Sequence, residues 1–159
     1  MTIRIGDTLP NAMLVRVTPE GPDQVAAHEW FAGQLVALFA VPGAFTPTCS
    51  ARHLPGFVEH AAALKAKGVD VVACTAVNDP FVLAAWAKAS GAEDIQMLAD
   101  GNADFATALG LSIDSSAFGM GVRSRRYAML VDNGVVTRLF IEEPGAFRIS
   151  SAEHLLASL

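Results

Sequence analysis

"QLVALFAVPGAFTPTCS", Gln34–Ser50, is the stretch that decides how this chain folds. Its first half, Leu35–Val41, is a continuous apolar run, the signature of a strand buried on both faces. Pro42-Gly43 ends the run, and a loop stiffened by Pro42 and Pro47 follows. From Thr48 to Lys67 the pattern turns helical, with Leu54, Phe57, Val58, Ala61 and Leu64 on one face. Pro55 is expected to kink this helix or to end its first segment. A buried strand that feeds a helix through a short loop opens a βα unit.

Outward from this unit the same alternation continues. "VDVVACTAV", Val69–Val77, reads as a second buried strand. Asn78 or Asp79 then supplies a helix N-cap, with Pro80 early in a helix that carries Phe81 to Ser90 and stops at Gly91. Ile95–Leu98 is a short strand and Ala103–Leu109 a short helix ending at Gly110. Ser112–Ser124 reads as a long loop. Tyr127–Asp132 and Val135–Glu142 flank Asn133-Gly134, a strong hairpin signal. Ser150-Ser151-Ala152-Glu153 reads as a capping box that opens a C-terminal helix, Ala152–Ser158. Residues 1–30 look irregular or hairpin-like, with "TPEGPD", Thr18–Asp23, as the turn.

The order β-α-β-α-β-α-β-β-α predicts a mixed central sheet, parallel first and antiparallel at the end, with helices on both faces. A thioredoxin-like α/β fold accommodates it most easily. With no repeat or linker in 159 residues, a single domain spanning 1–159 is the simplest organisation.

Composition narrows the function classes. Hydrophobic residues make up 52% and charged residues 17%, which excludes a disordered chain. A net charge of −5 argues against nucleic acid and anionic membranes as partners. The apolar runs are far shorter than the roughly 20 residues of a membrane-spanning helix. "MTIRIGDTLPN" lacks the pattern of a signal peptide, so a cytoplasmic location is expected. The two cysteines match no disulfide framework and no zinc-ligand spacing, so no metal or cofactor is expected.

Cys49 lies at a strand-to-helix junction, where backbone N–H groups converge and the helix dipole is positive; both favour the thiolate. Thr46, three residues earlier, brings a hydroxyl that can accept from the thiol and donate to a substrate oxygen. The alternative is a small buried hydrophobe.

"PGAFTPTCS" resembles the active-site loop of the peroxiredoxins, Pro-x-x-x-Thr-x-x-Cys, with Pro42, Thr46 and Cys49 in its three defining positions. "VNDPFVLAAW" (Val77–Trp86), "GMGVRSRRYAMLVDNGVV" (Gly119–Val136) and "EEPGAFRISSAEHLL" (Glu142–Leu156) resemble the type II, peroxiredoxin-5-like branch, collinear over nearly the whole chain. The resemblance implies a thiol peroxidase acting on hydrogen peroxide and alkyl hydroperoxides, with Cys49 oxidised to a sulfenic acid. It implies that the Cys49 N–H and Thr46 hydroxyl donate to the peroxide, that Pro42 shields the sulfur, and that Arg126 is its cationic partner. Arg123 and Arg125 read as a solvated basic cluster at a loop end.

Recycling is less legible. Cys74, mid-strand, is either core or a resolving cysteine. Some members of the branch resolve through a cysteine near the C-terminus, where this chain has Ser150 and Ser151. The resemblance therefore implies an external reductant, glutathione with glutaredoxin or thioredoxin. It also implies a homodimer, with Phe45, Asp79 and Phe81 as candidate interface residues. Phe45, Phe81 and Phe118, apolar residues in loops or at helix starts, are candidates for lining the alkyl-peroxide pocket or a self-association surface. His28, His53, His60 and His154 read as surface histidines. A redox sensor is the competing function; a dithiol oxidoreductase lacks its Cys-x-x-Cys motif and a cysteine hydrolase its general base.

Overall fold

Strands and helices alternate along the chain in the computed structural model, which describes residues 1–159. In order they are β1 (Met13–Thr18), β2 (Gly21–Ala26), α1 (Ala27–Phe31), β3 (Leu35–Ala40), a π-helical turn (Cys49–His53), α2 (Leu54–Ala66), β4 (Val71–Ala76), α3 (Pro80–Ala89), β5 (Gln96–Ala99), α4 (Asp104–Leu109), β6 (Ser112–Asp114), a 3₁₀ turn (Ser116–Phe118), β7 (Val122–Ser124), β8 (Tyr127–Asp132), β9 (Val135–Ile141) and α5 (Ala152–Ala157). Seven strands form one sheet in the order β2-β1-β5-β4-β3-β8-β9. The central β5-β4-β3 portion is parallel, and both flanks are antiparallel. This is a thioredoxin-like α/β fold with a mixed central sheet.

The unbroken apolar run of β3 is explained by burial on both sides. Ala37, Phe39 and Val41 face a core built with Leu54, Phe57 and Leu64 of α2, Leu83 and Trp86 of α3, and Leu155 of α5. Val36, Leu38 and Ala40 face the opposite core, with Phe31 of α1 and Phe105 and Leu109 of α4. Period-two alternation thus delivers every second side chain to a different helical layer.

Local chemistry accounts for the boundaries. Asp79, not Asn78, caps α3, its carboxylate accepting from the Val82 N–H at 2.8 Å. The β8–β9 turn places Asn133 and Gly134 at φ 48° and 80°, the positive angles of a tight hairpin turn.

Three expectations are corrected. Ser112–Ser124 is no plain loop: β6 and β7 pair as a ribbon, with Ser112 opposite Ser124. Its turn is fixed by Asp114, whose carboxylate accepts from the Ser116 N–H at 2.9 Å. The capping box is shifted by one residue, because Ser151 caps α5 through the His154 N–H, which frees Ser150 for another role. The N-terminal region contains α1 as well as the expected hairpin.

Candidate active site

β3 and β4 run parallel, so the loops that leave their C-terminal ends emerge side by side. The Ala44 N–H donates to Asn78 Oδ1 at 2.9 Å and ties the cysteine loop to the turn after β4. Phe45 holds φ 64°, and its ring is 56% exposed. Thr46 Oγ1 donates to the Gly43 carbonyl at 2.6 Å, and the helical run begins at Pro47. Proline suits this position, since its missing N–H would have no partner in the first turn. Cys49 is the third helical residue, wholly buried, with a first-turn N–H of the kind that lacks an intrahelical acceptor.

Pro55 shapes the next turn. It carries no N–H, and in a regular helix its ring would press on the Ala51 carbonyl. The chain widens instead: the Leu54 N–H reaches five residues back to the Cys49 carbonyl, a π turn, and α2 continues from there. His53, the last residue of this turn, is fully buried, as Cys49 at its start is.

Arg126 precedes β8 and completes the site. Its Nη2 donates to Cys49 Sγ at 3.0 Å and its Nη1 to His53 Nδ1 at 2.8 Å. A guanidinium keeps its charge, so the contact stabilises negative charge on the sulfur. The ring of Phe147 lies 5.8 Å from the Arg126 guanidinium and 4.7 Å from that of Arg52. Trp86 Nε1 donates to Ser50 Oγ at 2.9 Å, fixing the residue next to Cys49 from below.

His53 is the functional-site residue that the sequence reading misplaced on the surface. It is fully buried among Phe39, Phe57 and Phe147, and its Nε2 donates to the Ser150 carbonyl at 2.9 Å. Burial and, next, the charge of Arg126 lower its pKa from 6.5 to about 3, with the Ser150 carbonyl and Glu142 acting against the shift. The imidazole is neutral at physiological pH. A clue was present in the spacing: His53 lies four residues after Cys49 and four before the core residue Phe57.

Beside it, Glu142 Oε2 accepts from the N–H groups of Arg148, Ile149 and Ser150 and from the Ser150 hydroxyl, at 2.7 to 2.8 Å. Burial alone would raise its pKa, but these four hydrogen bonds outweigh that and lower it. Arg123 and Arg125 are also not a solvated cluster. Arg123 donates to the carbonyls of Met120 and Val77, and Arg125 to that of Glu142.

A cavity of about 410 Å³ opens beside Arg126, bounded by Pro42, Thr48, Ile113, Phe118 and the Glu143–Ala146 loop. Pro42, Arg126 and Phe118 line this cavity; Cys49 and Thr46 do not, Cys49 being joined to it through the Arg126 guanidinium and Thr46 lying one helical turn before Cys49. Phe45, Asp79 and Phe81 do not line it. Asp79 is occupied as a helix cap, and Phe81 is 70% exposed.

Cys74 lies in β4 opposite Phe39, wholly buried in the same apolar cluster as Cys49, and both thiols are free. Burial pushes the Cys74 thiol up, nearby Cys49 adds to the shift, and Arg126 opposes it.

Comparison with known proteins gives a consistent picture. The Redoxin family profile matches residues 4–156. A chloroplastic peroxiredoxin-2E-2 of Oryza sativa is 52% identical, the alignment covering 99% of this chain and 73% of the relative. Peroxiredoxin-2C of the same species is 50% identical, over 99% and 98% of the two chains. Among solved structures, reduced Prx3 of Vibrio vulnificus in complex with H2O2 superposes with a TM-score of 0.96, at 56% identity and 99% coverage of both chains.

Proposed function

Because the chain belongs to the peroxiredoxins, thiol peroxidases of the redoxin family related here to the plant type II branch, we propose that Cys49 is its peroxide-reducing sulfur and that hydrogen peroxide and alkyl hydroperoxides are its substrates. The observation that carries this reading is the 3.0 Å contact from Arg126 Nη2 to the buried Cys49 sulfur.

The Cys49 thiolate attacks the terminal peroxide oxygen. A sulfur–oxygen bond forms, the O–O bond breaks, the terminal oxygen keeps its hydrogen in the sulfenic acid, and the departing alkoxide or hydroxide takes a proton from solvent to leave as alcohol or water. The Thr46 hydroxyl donates its hydrogen bond to the Gly43 carbonyl, so its oxygen offers lone pairs to the peroxide O–H and orients it. Arg126 follows the negative charge from sulfur to the peroxide oxygens. Pro42 walls the approach, and a cavity of about 410 Å³ has room for an alkyl group far larger than hydrogen peroxide.

The sulfenic acid then condenses with an external thiol, releasing water and leaving a mixed disulfide on Cys49. A second thiol reduces it, with glutathione and glutaredoxin as the favoured donors and thioredoxin as the alternative. Two observations support this one-cysteine cycle: Cys74 is sealed in the core, and the C-terminal segment carries Ser150 and Ser151. The test is steady-state peroxide consumption by wild type and Cys74→Ser with glutathione plus glutaredoxin, with thioredoxin, and with dithiothreitol. Sustained turnover by Cys74→Ser with glutaredoxin is expected. Lost turnover with Cys49 still oxidised once by peroxide would assign the resolving role to Cys74.

The exposed rings of Phe45 and Phe81, on the two loops joined by Ala44 and Asn78, support self-association through this face as a homodimer. Sedimentation velocity reads it directly, and a monomer at micromolar concentration would contradict it. The cytoplasm remains the proposed location.

A further inference from the structure

We propose that His53 is a positioning residue that aims Arg126 at the Cys49 sulfur, and that Glu142 holds His53 and Arg126 in register. The inference rests on the reading of Cys49 and Arg126 as the reacting pair and deepens it.

A guanidinium beside a sulfur is attracted to it from many directions, and charge alone does not choose its orientation. Here two of its nitrogens are bound to two different acceptors, Nη2 to Cys49 Sγ at 3.0 Å and Nη1 to His53 Nδ1 at 2.8 Å. Two fixed donors on a planar group settle both its position and its plane. Arg126 cannot give up a proton, so His53 Nδ1 must be the bare nitrogen. The other ring nitrogen then carries the proton, and it faces an acceptor, the Ser150 carbonyl at 2.9 Å. Both neighbours demand the same tautomer.

The ring has little freedom to turn away. It is fully buried, with the rings of Phe39, Phe147 and Phe57 at 4.9, 5.0 and 5.6 Å. Its outer anchor is itself fixed, because the four hydrogen bonds onto Glu142 Oε2 lock the Arg148–Ser150 turn that presents the Ser150 carbonyl. Glu142 also acts on the other end of the chain of contacts: its N–H donates to the Arg126 carbonyl at 3.0 Å. One residue thus braces the arginine backbone and, through Ser150, the histidine that holds the arginine head.

Three substitutions separate aiming from simple packing. His53→Asn places an oxygen near the former Nδ1 and keeps an acceptor for Arg126, but loses the donor to Ser150. His53→Gln keeps a donor near the former Nε2 and loses the nearer acceptor. His53→Phe keeps only the bulk. The readout is the second-order rate of Cys49 oxidation by hydrogen peroxide, followed by stopped-flow fluorescence of Trp86, whose indole bonds the neighbouring Ser50. His53→Gln and His53→Phe are expected to react roughly 10- to 100-fold more slowly than wild type, with His53→Asn restoring most of the rate. Wild-type rates in His53→Phe, or an Asn variant as slow as Phe beside a fast Gln variant, would overturn the proposal.

A measurement on the wild-type protein stands independently of any variant's folding. Imidazole ¹⁵N–¹H correlation spectra should show His53 protonated at Nε2 and bare at Nδ1, and the opposite tautomer would overturn the proposal. Failure of wild-type Cys49 to react with peroxide would instead refute the underlying reading, since the tautomer is recorded without peroxide.

Discussion

The Thr46 hydroxyl donates a hydrogen bond to the Gly43 carbonyl at 2.6 Å, and this single contact turns a side chain expected to donate to the substrate into one that accepts from it. Replacement by valine keeps the shape and removes the oxygen. Thr46→Val is therefore expected to leave the Arg126–Cys49 contact in place and to slow peroxide oxidation roughly 10- to 100-fold through lost orientation. Stopped-flow oxidation measures it, and an unchanged rate would remove Thr46 from the mechanism. Cys49, Thr46 and Pro42 could be found in the sequence because they share one short loop, and Arg126 because its segment resembles a known one. His53 could not be found the same way. A histidine's burial depends on what other elements place over it, here Phe147 and the Ser150 carbonyl from more than ninety positions downstream.

At the scale of elements, the long strands and helices were legible because each satisfies a periodicity over many residues. β3, β4, α3 and the β8–β9 hairpin lie within a residue or two of their expected positions. Of the short elements, β5 and α4 also lie within a residue of their expected positions, but β6 and β7 were not legible, because three residues carry no period. β6 and β7 exist through a turn held by Asp114 and Ser116 and through mutual pairing. The expected disturbance at Pro55 was correct in place, while its form, a π turn closed by Leu54 on the Cys49 carbonyl, depends on how the chain satisfies its backbone groups. The shifted cap of α5 has a tertiary cause. Ser150 is buried against Glu142, so the capping duty passes to Ser151.

For the whole molecule, the sheet places the two cysteines in one apolar layer and the buried histidine beside a fixed positive charge, and stability responds to that burial. The folded-state pKa of His53 is lowered from 6.5 to about 3, so between these values the unfolded chain binds more protons than the native one. Stability therefore falls as pH drops below 6.5, with a slope of up to about 1.4 kcal/mol per pH unit from this residue. Glu142, also lowered, adds in the same direction at more acidic pH, whereas Asp100, raised mainly by burial, acts against it. Urea unfolding between pH 6.5 and 5, where His53 dominates, should show this slope in wild type and lose it in His53→Asn; equal slopes would contradict the assignment. The most direct measurement of the central claim is mass analysis of the reduced protein mixed with one equivalent of hydrogen peroxide and trapped with dimedone. The account predicts a single sulfenic acid on Cys49, formed far faster than on a free thiol at the same pH, with Cys74 untouched. Oxidation of Cys74 in its place, or Cys49 reacting no faster than free cysteine, would contradict it.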